Sequence, residues 1–144
     1  MSWPALRTRP GLRAGPARLA LAAVVAYLAP IPPGVLLLWV GTPVEQGPSA
    51  ASYVASHGVF LLASLYLSWA GLLVGVPVSV LALRTGFAGW AVALGTGAAL
   101  AAAVSLLTGL EPDIVLPGAL LSAGVYWLVL RGAVGPDRMC PENR

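Results

Sequence analysis

Four long stretches of this chain carry no ionised side chain, and they constrain the possible folds more than any other feature. They are residues 19–44, 46–83 (with His57 counted as neutral), 85–110 and 114–130. A helix that crosses the hydrocarbon core of a bilayer needs about 20 apolar residues, with a range of roughly 17–25. Each stretch reaches the lower limit, so the sequence predicts membrane-spanning helices.

The composition excludes an ordinary soluble fold. Apolar residues make up 58% and charged residues 9% of the 144 residues, whereas soluble domains contain about 25% charged residues. So few charged side chains cannot cover a domain in water, and lipid is the solvent that accepts such a surface. The basic residues flank the apolar stretches and form no stripe mixed with aromatic side chains, which argues against nucleic-acid binding.

We therefore predict an all-α fold, an integral membrane four-helix bundle. The predicted helices cover roughly residues 18–40, 55–83, 87–108 and 113–131. Together they form a transmembrane domain over residues 18–131. The flanking segments are predicted as a basic disordered cytoplasmic tail over residues 1–17 and a second cytoplasmic tail over residues 132–144.

Local signals indicate where the predicted helices end. Gly109 suits the position just after a helix, and Pro112 suits the first turn of the next one. Thr85 is a plausible N-cap for the third helix. The links between the last three helices are short, so consecutive helices are predicted to be antiparallel neighbours.

The arginines determine the predicted orientation. With four spans, all eight basic residues fall on one side of the membrane: Arg7, Arg9, Arg13, Arg18, Arg84, Arg131, Arg138 and Arg144. The loops on the other side carry only the acidic residues Glu45, Glu111 and Asp113. Because Lys and Arg collect on the cytoplasmic side, both termini are predicted to face the cytoplasm. The predicted location is the cell inner membrane, with several passes.

A proline cluster interrupts the first predicted helix near its middle, at Pro30, Pro32 and Pro33, and Gly34 follows it. Proline lacks the amide donor and clashes with the preceding turn, so we expect the helix to break here. Broken helices in transporters expose backbone groups to a substrate or an ion. The alternatives are a structural kink whose freed carbonyls find other partners, or two shorter segments. No second broken helix occupies a matching position, which favours the kink.

Small and polar residues form a stripe on the second predicted helix. Ser64, Ser68, Gly71, Gly75 and Ser79 are spaced by three or four residues, so they share one helical face. Small residues let helix backbones approach closely in lipid. The stripe therefore predicts packing inside the four-helix bundle or, as a functional alternative, a pore lining or a face for a partner protein.

Aromatic side chains on the same helix raise a separate question. Tyr66 and Trp69 fall nearer the middle of the predicted span than its ends. Their polar tips require hydrogen-bond partners at that depth. We therefore expect these partners inside a bundle.

Residues that carry chemistry are scarce. His57 is the only histidine and lies near the predicted outer end of the second helix. A metal site needs several ligands, so an interfacial histidine is favoured over a ligand or a pH switch. The spans contain no Asp, Glu, Lys or Arg, residues that ion-coupled transporters place there. We predict no catalytic, cofactor-binding or metal-binding residue, which argues against an enzyme that acts alone.

Two stretches resemble segments of small uncharacterised four-helix inner-membrane proteins of bacteria. One runs from Gly75-Val76-Pro77 to Arg84-Thr85-Gly86, and the other from Gly118 through Ala123-Gly124-Val125-Tyr126-Trp127 to Arg131. The resemblance implies localisation and helix number, and it implies no activity. The proline cluster departs from the even first helix expected of such proteins.

The expected function is non-enzymatic. We predict a small membrane protein of structural or accessory type, which packs in the lipid bilayer against itself or a larger membrane complex. The alternative is a small transporter or channel protomer that works as an oligomer and uses the broken first helix. Neither alternative requires a cofactor.

Overall fold

The chain is helical throughout its regular structure. The computed structural model describes residues 8, 11, 14–41 and 50–135. Its helices are α1 (Pro16–Leu28), α2 (Ile31–Gly41), α3 (Ala50–Ala63), α4 (Leu65–Thr85), α5 (Trp90–Thr108) and α6 (Pro112–Val134). The prediction of an all-α fold is confirmed for this part of the chain. Residues 42–49 and 136–144 lie outside it, as do Arg7, Arg9 and Arg13.

Three helical segments are long and apolar enough to cross a membrane. They are Pro16–Gly41, which contains α1 and α2, Trp90–Thr108 and Pro112–Val134. Large apolar side chains point outwards from them, and Leu106 and Leu107 of α5 are each 87% exposed. Such a surface suits lipid and would be an aggregation hazard in water. These segments are compatible with a multi-pass membrane protein.

The second predicted helix, 55–83, corresponds to two helices that meet at Ser64. The Ser64 backbone stays helical (φ −60°, ψ −20°), and its N–H donates to Phe60 O at 2.8 Å. The Ser64 hydroxyl donates to Leu61 O at 2.6 Å, and such back-bonding often bends helices. The result is two shorter apolar helices, so the count of four spanning helices stays a prediction.

The proline cluster interrupts the first predicted helix for only two residues. Ala29 keeps right-handed helical dihedrals (φ −56°, ψ −34°), and the helical hydrogen bond from Gly34 N to Pro30 O (3.0 Å) follows directly. Pro30 is fully buried. The interruption lets the two halves pack differently, because α1 lies mainly against α6 and α4 whereas α2 lies against α3.

Glycines mark the closest helix contacts. A Cβ on Gly58 of α3 would lie 2.8 Å from both Gly34 O and Leu38 N of α2. A Cβ on Gly97 of α5 would lie 2.8 Å from Ala123 Cβ of α6. Close backbone approach of this kind drives helix association in lipid, where no hydrophobic effect acts between helices.

Thr8, the α4–α5 loop and the end of α6 lie together at one end of the molecule. Thr8 is 4% exposed, and its N–H donates to Gly86 O at 2.8 Å. The indole Nε1–H of Trp127 donates to Ala88 O at 2.9 Å. We call this the arginine end, because it carries Arg18, Arg84 and Arg131.

Two residues of the predicted tail 1–17 have backbone hydrogen bonds at the arginine end: Thr8 N–H donates to Gly86 O in the α4–α5 loop, and Gly11 N–H donates to Arg84 O at the end of α4. The disordered tail itself stays a prediction. Pro16 already begins α1. At the other terminus α6 continues to Val134, three residues beyond the predicted 131.

Candidate functional site

A cleft lies between α4 and α5, with α6 contributing a third wall. The two helices are joined by a short loop but make few contacts with each other, because α5 packs on α6 and α4 packs mainly on α1. The cleft has a cavity volume of about 360 Å³. This lies within the roughly 300–1,000 Å³ of sites that bind small molecules.

The cleft follows the whole length of α5. Its lining begins with Ala88 and Leu130 at the arginine end and reaches Leu110 and Ile114 at the opposite end. The 19 residues of α5 extend over about 28 Å at 1.5 Å per residue. The cleft is therefore nearly as long as the hydrocarbon core is thick, which is about 30 Å.

The two glycines of the predicted stripe, Gly71 and Gly75, form part of the α4 wall of the cleft. Gly71 and Gly75 both line the cavity, and a Cβ on either one would meet no atom within 4 Å. They differ in this from Gly58 and Gly97, whose added Cβ atoms would clash. Packing inside the bundle, which the sequence favoured, is therefore not what these two glycines do in this chain.

The three serines of the predicted stripe, Ser64, Ser68 and Ser79, also line the cleft. Ser68 Oγ donates to Ser64 O at 2.8 Å, and the Ser64 hydroxyl is likewise bonded to the carbonyl of Leu61. Gly118 of α6 lets the helices meet at this level, since a Cβ there would lie 3.1 Å from Ser64 Oγ. The cleft thus brings Ser64, Ser68, Gly71 and Gly75 together.

A hydroxyl pair lies in the cleft toward the arginine end. Ser79 Oγ donates to Val76 O at 2.7 Å and lies 2.8 Å from the Tyr126 hydroxyl. A serine hydroxyl has one proton. Both contacts are hydrogen bonds at the same time only when Ser79 donates to Val76 O and the Tyr126 O–H donates to Ser79 Oγ. Both oxygens retain lone pairs, so the pair can accept a further hydrogen bond.

Sequence reasoning did not identify Tyr126 as a site residue. A tyrosine near the end of a predicted spanning helix suits the lipid interface, whereas the Tyr126 side chain is only 8% exposed and lines the cleft. The i, i+4 spacing to Ser122, another lining residue, was the available signal for a polar inner face.

Several hydroxyls in the cleft lining donate their protons to carbonyls of their own helix. Thr96 Oγ1 donates to Val92 O at 2.8 Å, as the hydroxyls of Ser64, Ser68 and Ser79 donate to other carbonyls. Ser122 Oγ is buried and has no hydrogen-bond partner in the part of the chain that is described. None of the described lining residues is Asp, Glu, Lys, Arg or His.

The proline cluster lies away from the cleft. Pro30, Pro32, Pro33 and Gly34 are not among the lining residues, and Gly34 instead packs against Leu62 of α3. The transporter alternative, which depends on this interruption, stays a prediction.

His57 also lies outside the cleft lining. Its Nδ1 is 2.9 Å from Tyr53 O, and the two rings are 4.3 Å apart between centroids. Across residues 14–41 and 50–135, no three His, Cys, Asp or Glu side chains are grouped to hold a metal ion.

A second feature is the outer face of α4, formed by Tyr66, Trp69 and Leu73. The three residues are spaced by three and four positions and so share one face. Their side chains are 82%, 59% and 67% exposed, respectively. Tyr66 and Trp69 form no hydrogen bond to any described residue. The sequence predicted partners for them inside a bundle, but both side chains face outwards.

This outer face lies well inside the span of α6. Gly118, which meets Ser64, is six residues from the start of α6, or about 9 Å along its axis. Tyr66 and Trp69 follow further toward the arginine end, roughly 12–17 Å from that start. The 23 residues of α6 extend over about 34 Å, so the backbone of Tyr66 and Trp69 lies level with the middle part of α6.

Neither the fold nor the cleft can be assigned by likeness to other proteins: no protein-family model, no curated protein and no solved structure matches this chain.

Proposed function

We propose that this chain is a structural or accessory protein of the cell inner membrane, which packs through the outer face of α4 against itself or a larger membrane complex. The observation that carries the proposal is the exposure of Tyr66 and Trp69 level with the middle of α6, where neither side chain has a hydrogen-bond partner among the described residues. When α6 spans the bilayer, this level lies in hydrocarbon. A hydroxyl moved from water to an apolar medium without a hydrogen bond costs roughly 2–7 kcal/mol.

A neighbouring helix removes this cost when it supplies acceptors. Interhelical hydrogen bonds are one of the forces that join helices in lipid. Tyrosine and tryptophan also provide large contact areas and are enriched in protein interfaces. The outer face of α4 combines both properties, since Leu73 extends the contact beyond the two aromatic side chains.

We further propose four membrane crossings with both termini in the cytoplasm. The hydrogen bonds at Ser64 support one bent crossing made of α3 and α4. The grouping of Arg18, Arg84 and Arg131 at one end supports the orientation, because basic residues collect on the cytoplasmic side.

The packing proposal predicts site-specific cross-linking. A photoreactive phenylalanine analogue at position 66 or 69, in the full chain in its native membrane, should yield a protein adduct of one defined mass. The adduct should have either twice the mass of the chain or one fixed larger mass. Electrophoresis and mass spectrometry measure it.

Leu106 provides the matched control for this experiment, because it is 87% exposed and lies on α5. The same analogue there should give mainly lipid adducts. If positions 66 and 69 also gave only lipid adducts, the packing proposal would be wrong.

The orientation predicts the outcome of reporter fusions. A reporter active only in the cytoplasm should be active when fused after Arg144 and inactive when fused after Leu110. The reverse pattern, or activity at both sites, would contradict the proposed topology.

A further inference from the structure

We propose that the cleft between α4 and α5 binds an uncharged, largely hydrocarbon molecule that carries a hydroxyl group, which donates its proton to the Ser79–Tyr126 pair. This inference is independent of the proposed packing, because the cleft and the outer face lie on different sides of α4. A lipid-soluble alcohol is the chemical class that meets both requirements.

The charge of the ligand follows from the lining. The described lining residues include no Asp, Glu, Lys, Arg or His, and a charge without a counter-charge is expensive in a medium of low polarity. A phosphate or carboxylate group is therefore excluded from the depth of Ser79 and Tyr126. Most of the lining consists of Ala, Gly, Val and Leu side chains, which suit a hydrocarbon body.

The hydrogen bonds of the two cleft hydroxyls determine which polar group the ligand carries. In the arrangement that satisfies both contacts, Ser79 donates to Val76 O and Tyr126 donates to Ser79 Oγ. The two hydroxyls then offer only lone pairs to a ligand. An alcohol O–H can donate to these lone pairs, whereas an ether or ester oxygen has no proton and cannot form this hydrogen bond.

The position of the pair determines how the ligand lies. Ser79 is six residues before the end of α4, which is about 9 Å from the arginine end. The apolar lining continues past this level to Leu110 and Ile114 at the opposite end. The hydroxyl therefore lies toward the arginine end, and the hydrocarbon body extends along α5 toward the other side of the membrane.

The test compares a long-chain alcohol with its methyl ether, both carrying the same photoreactive diazirine in the chain. The full-length protein in phosphatidylcholine nanodiscs is labelled with each probe, and the labelled residues are mapped by mass spectrometry. We expect the alcohol to label residues 71–78 and 92–101 about tenfold more than the ether, as one hydrogen bond allows.

Two variants locate the preference. Combining Ser79→Ala with Tyr126→Phe should bring alcohol and ether labelling to the same level, because both acceptors are removed. Thr108→Val removes an exposed hydroxyl outside the cleft lining and should leave the preference unchanged. If the double variant does not fold, the comparison of the alcohol and ether probes on the unaltered protein still tests the proposal.

Equal labelling by alcohol and ether would overturn the proposal, and would show that the cleft holds ordinary acyl chains. Labelling spread evenly over Leu106 and other lipid-facing positions would also overturn it.

Discussion

Replacing Gly58 with alanine is expected to lower the free energy of unfolding by about 1–3 kcal/mol, the usual cost of overpacking. The added methyl group would lie 2.8 Å from Gly34 O and 2.8 Å from Leu38 N. Both are backbone atoms of α2, which cannot move aside as a flexible side chain can. The methyl group therefore forces α2 and α3 apart at their closest contact.

Gly95→Ala is the matched control, since Gly95 also lies inside a helix but has open space around its Cα. No atom lies within 4 Å of an added Cβ there, and alanine favours a helix over glycine by roughly 0.5–1 kcal/mol. Gly95→Ala should thus be neutral or slightly stabilising. Unfolding by SDS, followed by circular dichroism, measures both variants. Equal stability of the two variants would show that α2 and α3 do not meet at Gly58.

The sequence predicts the helices better than their contacts. Apolar length alone predicts α5 and α6 to within three residues at each end, because hydrocarbon requires continuous helices of that length. Gly109 and Pro112 act as predicted: Gly109 follows α5 with φ +72°, and Pro112 begins α6.

Predictions at individual polar residues were less successful. Thr85 was predicted to cap the third helix, but it ends α4, and Gly89 precedes α5 instead. The Thr85 hydroxyl donates to Leu81 O, within α4, at 2.9 Å. A threonine near a helix boundary can bond to either side, so sequence alone does not say which helix it belongs to.

The cleft could not be predicted from the sequence. Small residues allow close helix packing, but they leave open space where no other helix packs against them. Gly97 and Gly71 illustrate this. The first is filled by Ala123 and Ala119 of α6, whereas the second faces the cavity. The difference is set by where α4 is directed after the bend at Ser64, and that direction is a property of tertiary packing.

The end of α6 carries the other large expected effect: Trp127→Ala should lower the free energy of unfolding by roughly 3–5 kcal/mol. Trp127 is 4% exposed and joins α6 to the α4–α5 loop through its bond to Ala88 O. The guanidinium of Arg131 lies 5.5 Å from the ring centroid, a favourable cation–π contact. Removal of the ring leaves a cavity and deprives the buried Ala88 carbonyl of a donor.

Two comparisons separate these contributions, again by unfolding in SDS. Trp127→Phe keeps most of the ring contacts and should cost about 1–3 kcal/mol, the penalty for an unsatisfied buried carbonyl. Trp69→Ala removes an exposed indole and should hardly change the stability of the isolated chain, because lipid replaces its few contacts. If Trp127→Ala were no more destabilising than Trp69→Ala, the arginine end would not be held together by this side chain. The hydrogen bonds from Thr8 N–H to Gly86 O and from Gly11 N–H to Arg84 O would then be the main contacts to test there.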